Sequence, residues 1–280
     1  MTQRKEIELM TRMIGLLLIA CGCLAAQSEP EKATVPLHDP SRPAQIHAQL
    51  MIGGITVRGY DGREVLVEAH ARGDQGGRRT QPARADGMRR LDLPGNAGLE
   101  VVEEDNVVNI QTSSMHEPVD LVITTPRHSS LNIKCMNDGD IVVDHIDGEI
   151  DANNLNGKVT LKNVSGSVLA HSLNGEVTVS LDRVDGSKPM SFSTMNGDID
   201  VTIPADVKAN VRVKTDHGEI YSDYDLKLSA SAVPESESGK QKDGSYRLRY
   251  DRSMRGTING GGPEYQFTSF NGQIYIRRRK

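Results

Sequence analysis

Residues 146–179 read IDGEIDANNLNGKVTLKNVSGSVLAHSLNGEVTV, and the spacing of their glycines decides the fold. Glycines fall at 139, 148, 157, 166 and 175, nine residues apart, then at 186 and 197 after steps of eleven. Around them runs the pattern apolar-x-Gly-x-apolar-x-apolar. Ile146, Gly148, Ile150 and Ala152 recur as Leu155, Gly157, Val159 and Leu161, as Val164, Gly166, Val168 and Ala170, and as Leu173, Gly175, Val177 and Val179. In an extended chain these positions share one face, while Glu149, Lys158, Thr160, Glu176 and Thr178 lie on the other, so each unit predicts a half-buried strand.

The Asn-Gly pairs invite a hairpin, the commonest short antiparallel signal. A two-residue turn there would pair Leu155 with Lys158 and Leu173 with Glu176 on one face, so the hairpin fails. The turns are expected instead at the polar doublets Asp144-His145, Asn153-Asn154, Lys162-Asn163 and His171-Ser172, with each glycine a kink or close backbone approach within a strand. Asn-Gly, preceded by Leu or Met, alternates with Asp-Gly or Ser-Gly, preceded by Ile or Val. The true period is therefore 18 residues, as when successive strands belong to opposite sheets of a coil. A flat meander would leave its apolar face bare, because no amphipathic helix follows residue 20. The expected fold is all-β, a β-solenoid with two nine-residue strands per coil around a thin aliphatic seam.

Outside that stretch, Val65-x-Val67-x-Ala69, Val108-x-Ile110, Val119-x-Leu121-x-Ile123 and Leu131-x-Ile133 alternate with period two. Gly53, Gly197, Gly218 and Gly272 carry the glycine unit towards both ends. One domain is expected over 44–280, with inserts at 72–97 and 229–245, the latter Ser-, Glu- and Lys-rich and read as a mobile surface loop. Residues 21–43, with Pro30, Pro36, Pro40 and Pro43, are expected to be a tether. Arg4, Lys5 and Arg12 precede the apolar run 13–20, which is too short for a permanent span and right for a secretory leader over 1–20. Leu18-Ile19-Ala20-Cys21 resembles a lipobox, which implies cleavage before Cys21 and a diacylglycerol on its thiol. Ordinary cleavage near Ala25 or Ala26, giving a soluble periplasmic protein, is the alternative. Cys23 and Cys135 build no disulfide framework, and Cys135 sits on the apolar side of its strand.

From Asp120 to Val201 the chain resembles the bacterial putative-adhesin family of β-strand repeats, a domain family of unknown function. The resemblance rests on Val119-Asp120-Leu121-Val122-Ile123-Thr124-Thr125-Pro126, on the ordered Gly-x-Ile/Val units, and on Ile203-Pro204 with Ala209-Asn210-Val211. It extends to Gly54-Ile55-Thr56-Val57 in front and Ser269-Phe270-Asn271-Gly272-Gln273-Ile274 behind. It implies a right-handed parallel β-helix-like roll on an exported protein, and it brings no catalytic residues.

Composition narrows the function. With 33 basic against 38 acidic residues the net charge is −5, which offers a polyanion no global attraction and argues against nucleic acid. No Trp and only 3 Phe and 7 Tyr leave little for stacking platforms. The eight His form no metal-like pair, and no phosphate loop or nucleophile elbow occurs, so no metal, cofactor or catalytic residue is expected. Arg72-Gly73-Asp74 spells an integrin tripeptide and reads as a loop. Arg78, Arg79, Arg84, Arg89 and Arg90 make a basic insert able to touch anionic headgroups or lipopolysaccharide phosphates, as could Arg277-Arg278-Arg279-Lys280. Asp138, Asp140, Asp144, Asp147, Asp151, Asp198 and Asp200 could serve a glycan hydrolase or lyase, the rival reading. The main expectation is a non-enzymatic envelope lipoprotein whose repetitive surface binds or scaffolds. Its expected partners are a membrane, through the anchor, and an envelope glycan or protein.

Overall fold

The computed structural model describes residues 30–72, 97–113, 118–226 and 253–280, together with the backbone of five short strands between 229 and 251. The strands are β1 (Glu31–Pro36), β2 (Ala44–Ile52), β3 (Ile55–Tyr60), β4 (Glu64–Ala71), β5 (Leu99–Glu104), β6 (Val107–Thr112), β7 (Val119–Pro126) and β8 (Ser129–Asn137). The glycine-rich centre follows with β9 (Ile141–Asp144), β10 (Asp147–Asn156), β11 (Val159–Asn174), β12 (Val177–Val184), β13 (Met190–Asn196) and β14 (Ile199–Ile203). Then come β15 (Ala209–His217), β16 (Ile220–Ser222), β17 (Ser229–Ala230), β18 (Val233–Pro234), β19 (Gly239–Lys240), β20 (Tyr246–Arg247), β21 (Tyr250–Asp251), β22 (Met254–Ile258), β23 (Glu264–Asn271) and β24 (Ile274–Arg278).

These strands wind a β-solenoid with two walls. One wall runs β5, β6, β2, β8, β10, the second half of β11, β13, β23, β15 and β22. The other runs β1, β4, β7, β3, β9, the first half of β11, β12, β14, β24 and β16. The central pairings are parallel and stack like on like, with Ile150 beside Val168 and Val159 beside Val177, an 18-residue coil. Antiparallel β1, β4 and β5 close one end, and antiparallel β22 lies at the other. They occupy edges that would otherwise present unpaired amides.

Order along the stack is not order along the chain. β2 and β3 slot between β6 and β8 and between β7 and β9. At the far end β23 and β24 slot between β13 and β15 and between β14 and β16. Each terminal segment therefore supplies a complete internal rung.

The seam between the walls is aliphatic: Ile46, Ile55, Val57, Ile133, Val143, Val159, Leu161, Val177 and Val201 are all buried. Each such side chain contributes on the order of 1.5–3 kcal/mol through removal from water. Aromatic rings enter where coils lengthen, with Phe192 stacked on Phe267 at 5.1 Å between centroids.

Several expectations need correction. Residues 31–36, read as part of the tether, form β1 against β4, and Leu37 behind them is buried. Asn153-Asn154 and His171-Ser172 are not turns but lie inside β10 and β11. The chain turns at Asn-Gly instead, after β10, β11 and β13. Asp144-His145 and Lys162-Asn163 do mark the opposite corner, with His145 at φ 58° and Asn163 at φ 51°. Each Asn-Gly corner also resets the inside-outside alternation, so Asn154 and Val159 both point inward while Leu155 is exposed and Leu173 half-buried. In the insert read as a loop, the backbone pairs β18 with β21 and β19 with β20.

The corner glycines stack. A Cβ built on Gly139, Gly148, Gly157, Gly166, Gly175, Gly197, Gly218 or Gly272 would come within 1.9–2.3 Å of backbone on the adjacent rung. Gly186 differs, with nothing within 4 Å of such a Cβ. Gly175→Ala is therefore expected to lower unfolding stability by about 3 kcal/mol, whereas Gly186→Ala changes it by less than about 0.5 kcal/mol. Urea titrations of both variants check the contrast.

Candidate binding surface

At the Asn-Gly corner the ladder between rungs breaks, and the glycine carbonyls need other donors. Inward polar side chains supply them. Asn154 Nδ2 donates to Gly139 O (2.9 Å), Ser172 Oγ to Gly157 O (2.8 Å), Thr194 Oγ1 to Gly175 O (2.8 Å) and Ser269 Oγ to Gly197 O (3.2 Å). Cys135 takes the same place one rung earlier, its thiol donating to Gly53 O. Burial pushes that thiol up to about 11, so it is an inert core group.

Two residues on, the corner asparagines form a ladder. Asn156 donates to Asn137, Asn174 to Asn156, Asn196 to Asn174 and Asn271 to Asn196, at 2.7–2.9 Å. The links span 19, 18, 22 and 75 residues of sequence. The sequence signal was the fixed phase of Asn before Gly, which was read as a marker of strand type and not as a contact.

The acidic residues singled out from the sequence are distributed along the coil and each is engaged. Asp140 Oδ1 accepts from Lys158 N–H (2.7 Å), and Asp198 Oδ1 accepts from Gln273 N–H (2.7 Å). Asp144 accepts from Asn163 and faces His145, Asp151 accepts from Asn153, and Asp200 accepts from Arg277 Nε (2.7 Å). Asp138 lies 3.6 Å from Arg72, and Asp147 binds Arg183. No group of three His, Cys, Asp or Glu among the described residues is placed to hold a metal ion.

One concave feature was not expected. Between β12 and β13 the coil lengthens, and the turn Asp185-Gly186-Ser187-Lys188 overhangs the rungs beneath it. Arg183 reaches across one rung to Asp147 (2.6 Å), and Lys188 reaches across the same rung to Glu149. The bridged rung carries only the small residues Ser165, Gly166 and Ser167, which leave the space between the two bridges open. The result is a cleft of about 510 Å³, lined also by His128, Ser130 and Gly148. Its charges are mutually neutralised. Side-chain and backbone hydrogen bonds from Ser187 hold the Asp185 carboxyl below its usual range, and the hydrogen bond to Glu149 raises Lys188. The cleft arises where one coil is longer by about four residues, a lengthening whose trace in the sequence is the pair of eleven-residue glycine steps from Gly175 to Gly197.

A second unexpected cluster lies at the end of the other wall. Tyr221 on β16 and Tyr275 on β24 stack in parallel at 5.1 Å, and Arg277 lies over the Tyr275 ring. Two of the C-terminal arginines expected to be able to touch anionic groups are committed within the fold: Arg277 to Asp200 and Arg279 to Asp182. Arg72 grips Asp120 through two nitrogens at 2.6 and 2.5 Å, so it is not a free member of a recognition tripeptide. Cys21 and the basic positions Arg78, Arg79, Arg84, Arg89 and Arg90 lie outside the described residues.

A family model described as Toastrack DUF4097 matches residues 109–259. Among solved structures, a putative cell adhesion protein from Clostridium sporogenes ATCC 15579 is 8% identical with a TM-score of 0.39, covering 90% of this chain and 100% of its own. A putative adhesin from Bacteroides fragilis NCTC 9343 is 12% identical with a TM-score of 0.30, covering 90% of this chain and 97% of its own. No curated protein matches the chain.

Asp120 supplies a pH test of the outer rows. Burial raises its carboxyl, but hydrogen bonds from Arg72 and Gly54 N–H together with the Arg72 charge outweigh that, so the net shift is downward. A lowered folded value stabilises above the unfolded Asp value of about 3.9, and that stability is lost as pH falls through the folded value. Asp120→Asn should cost about 1 kcal/mol at pH 7, after allowance for solvent screening. In denaturant unfolding across pH, the wild-type and variant curves should converge at acid pH.

Proposed function

The chain belongs to the Toastrack DUF4097 family, and from that premise we propose that it is a non-enzymatic adhesion or scaffolding module of the bacterial envelope, exported and held to a membrane by lipid on Cys21. The observation that carries this reading is the state of the carboxylates. A hydrolase or lyase needs a proton-holding acid or an uncommitted carboxylate beside the scissile bond. Here the cleft carboxylates Asp147, Glu149 and Asp185 face Arg183 and Lys188, and Asp140 and Asp198 along the coil accept from neighbouring rungs. Such groups maintain a rigid surface of repeated polar side chains, which suits recognition of an extended envelope partner.

Cys21 precedes Glu31, where β1 begins, by so few residues that the link can reach no more than roughly 35 Å. The domain would therefore lie within that distance of the bilayer.

Two measurements test the reading. Palmitate should label the wild-type chain and not Cys21→Ala, which should move to the soluble fraction; equal labelling of both removes the anchor. The whole chain should also retain envelope polysaccharide without releasing reducing ends. New reducing ends that vanish in Glu149→Gln or Asp147→Asn would sink the non-enzymatic reading.

A further inference from the structure

Of the eight large hydrophobic residues exposed among the described residues, Met51, Leu155, Met195 and Phe270 fall in a single register column. Half-buried Met136 and Leu173 complete it. The pairings of β2, β8, β10, β11, β13 and β23 place these six residues side by side, each immediately before its corner position. At about 4.8 Å per rung the ridge is roughly 24 Å long. Soluble domains scatter such residues singly, and a contiguous row marks a contact.

We propose that this ridge docks a second copy of the chain, antiparallel, about a two-fold axis between Leu155 and Leu173. The column reads Met, Met, Leu, Leu, Met, Phe. Reversed against itself, it sets Met51 opposite Phe270, Met136 opposite Met195 and Leu155 opposite Leu173, so bulk meets similar bulk as an isologous interface requires. A copy also carries the same rung spacing, so side chains interlock along the whole length as in a steric zipper. A helix, at 5.4 Å per turn, would drift by roughly 3 Å over the five intervals.

Charge selects the same occupant. The chain carries a net −5, which opposes random self-contact. One flank of the ridge, however, is the uncharged asparagine ladder, which would face its own copy amide to amide. The other flank has one permanent charge, Lys134, which pairs in register with Asn153, and reversal sets it opposite Ser193. The ridge with its flanks is well short of the ~800 Å² per partner of a standard interface, so the association is weak and gains weight where copies are concentrated on a surface. This contact goes beyond the adhesion reading and does not depend on it.

Sedimentation velocity of the whole chain from about 10 µM to 1 mM should show a monomer-dimer equilibrium in that range. Leu155→Glu and Leu173→Lys, both projecting outward, should each be monomeric throughout with wild-type unfolding curves. Their equimolar mixture should recover the dimer, because the two new charges meet across the axis. A wild type that stays monomeric, a dimer that persists in both variants, or a mixture no more associated than its components would overturn the proposal.

Discussion

Contact between backbones at the glycine corners governs this molecule. Where the chain passes from one wall to the other, each rung lies so close to the next that a Cβ would come within about 2 Å of a carbonyl carbon or oxygen. The same bend breaks the regular ladder and leaves those carbonyls facing inward. Asn154, Ser172, Thr194 and Ser269 resolve the conflict, since a buried amide or hydroxyl satisfies a carbonyl that an aliphatic side chain would strand. Close approach and inward polar capping are therefore one device, repeated along the stack.

That device also explains how rungs far apart in sequence can be neighbours. Gly197 stacks on Gly175 as Gly272 stacks on Gly197, although the second pair is separated by much more chain. A rung is defined by corner chemistry, and any segment carrying Asn-Gly with an inward hydroxyl two residues earlier fits the slot. β23/β24 uses this freedom to enter the interior of the stack through Ser269 and Asn271-Gly272, whereas β2/β3 enters near the other end with Ile52-Gly53 at its corner and Leu50 inward. Non-local closure of this kind slows folding, so the 18-residue coils of the centre are the natural place for structure to begin.

The outer surface divides by chemistry. One row uses carboxylates to hold corner amides and cations of the adjacent rung, which leaves the charge rigid and internally balanced. The corner edge carries the asparagine ladder beside a row of Met, Leu and Phe. The long turn over Gly166 adds a cleft closed from above by Arg183 and Lys188. Paired charges on these strands give little stability individually and instead fix the geometry of what a partner meets.

The order of amino acids by itself determined the all-β class, the 18-residue coil and the two alternating kinds of strand, because side-chain periodicity and glycine spacing act locally. It marked the Asn-Gly positions but misplaced the turns, since parity carried straight through a corner puts Leu155 inside and Asn154 outside. Only the tertiary structure decided that phase, because burying Asn154 is favourable solely when a carbonyl of another rung is there to receive it. The tertiary structure likewise decided the stacking of β23 beneath β13, the cleft and the exposed ridge. Each depends on which rungs become neighbours, and neighbours across 75 residues are chosen by fit and not by spacing along the chain.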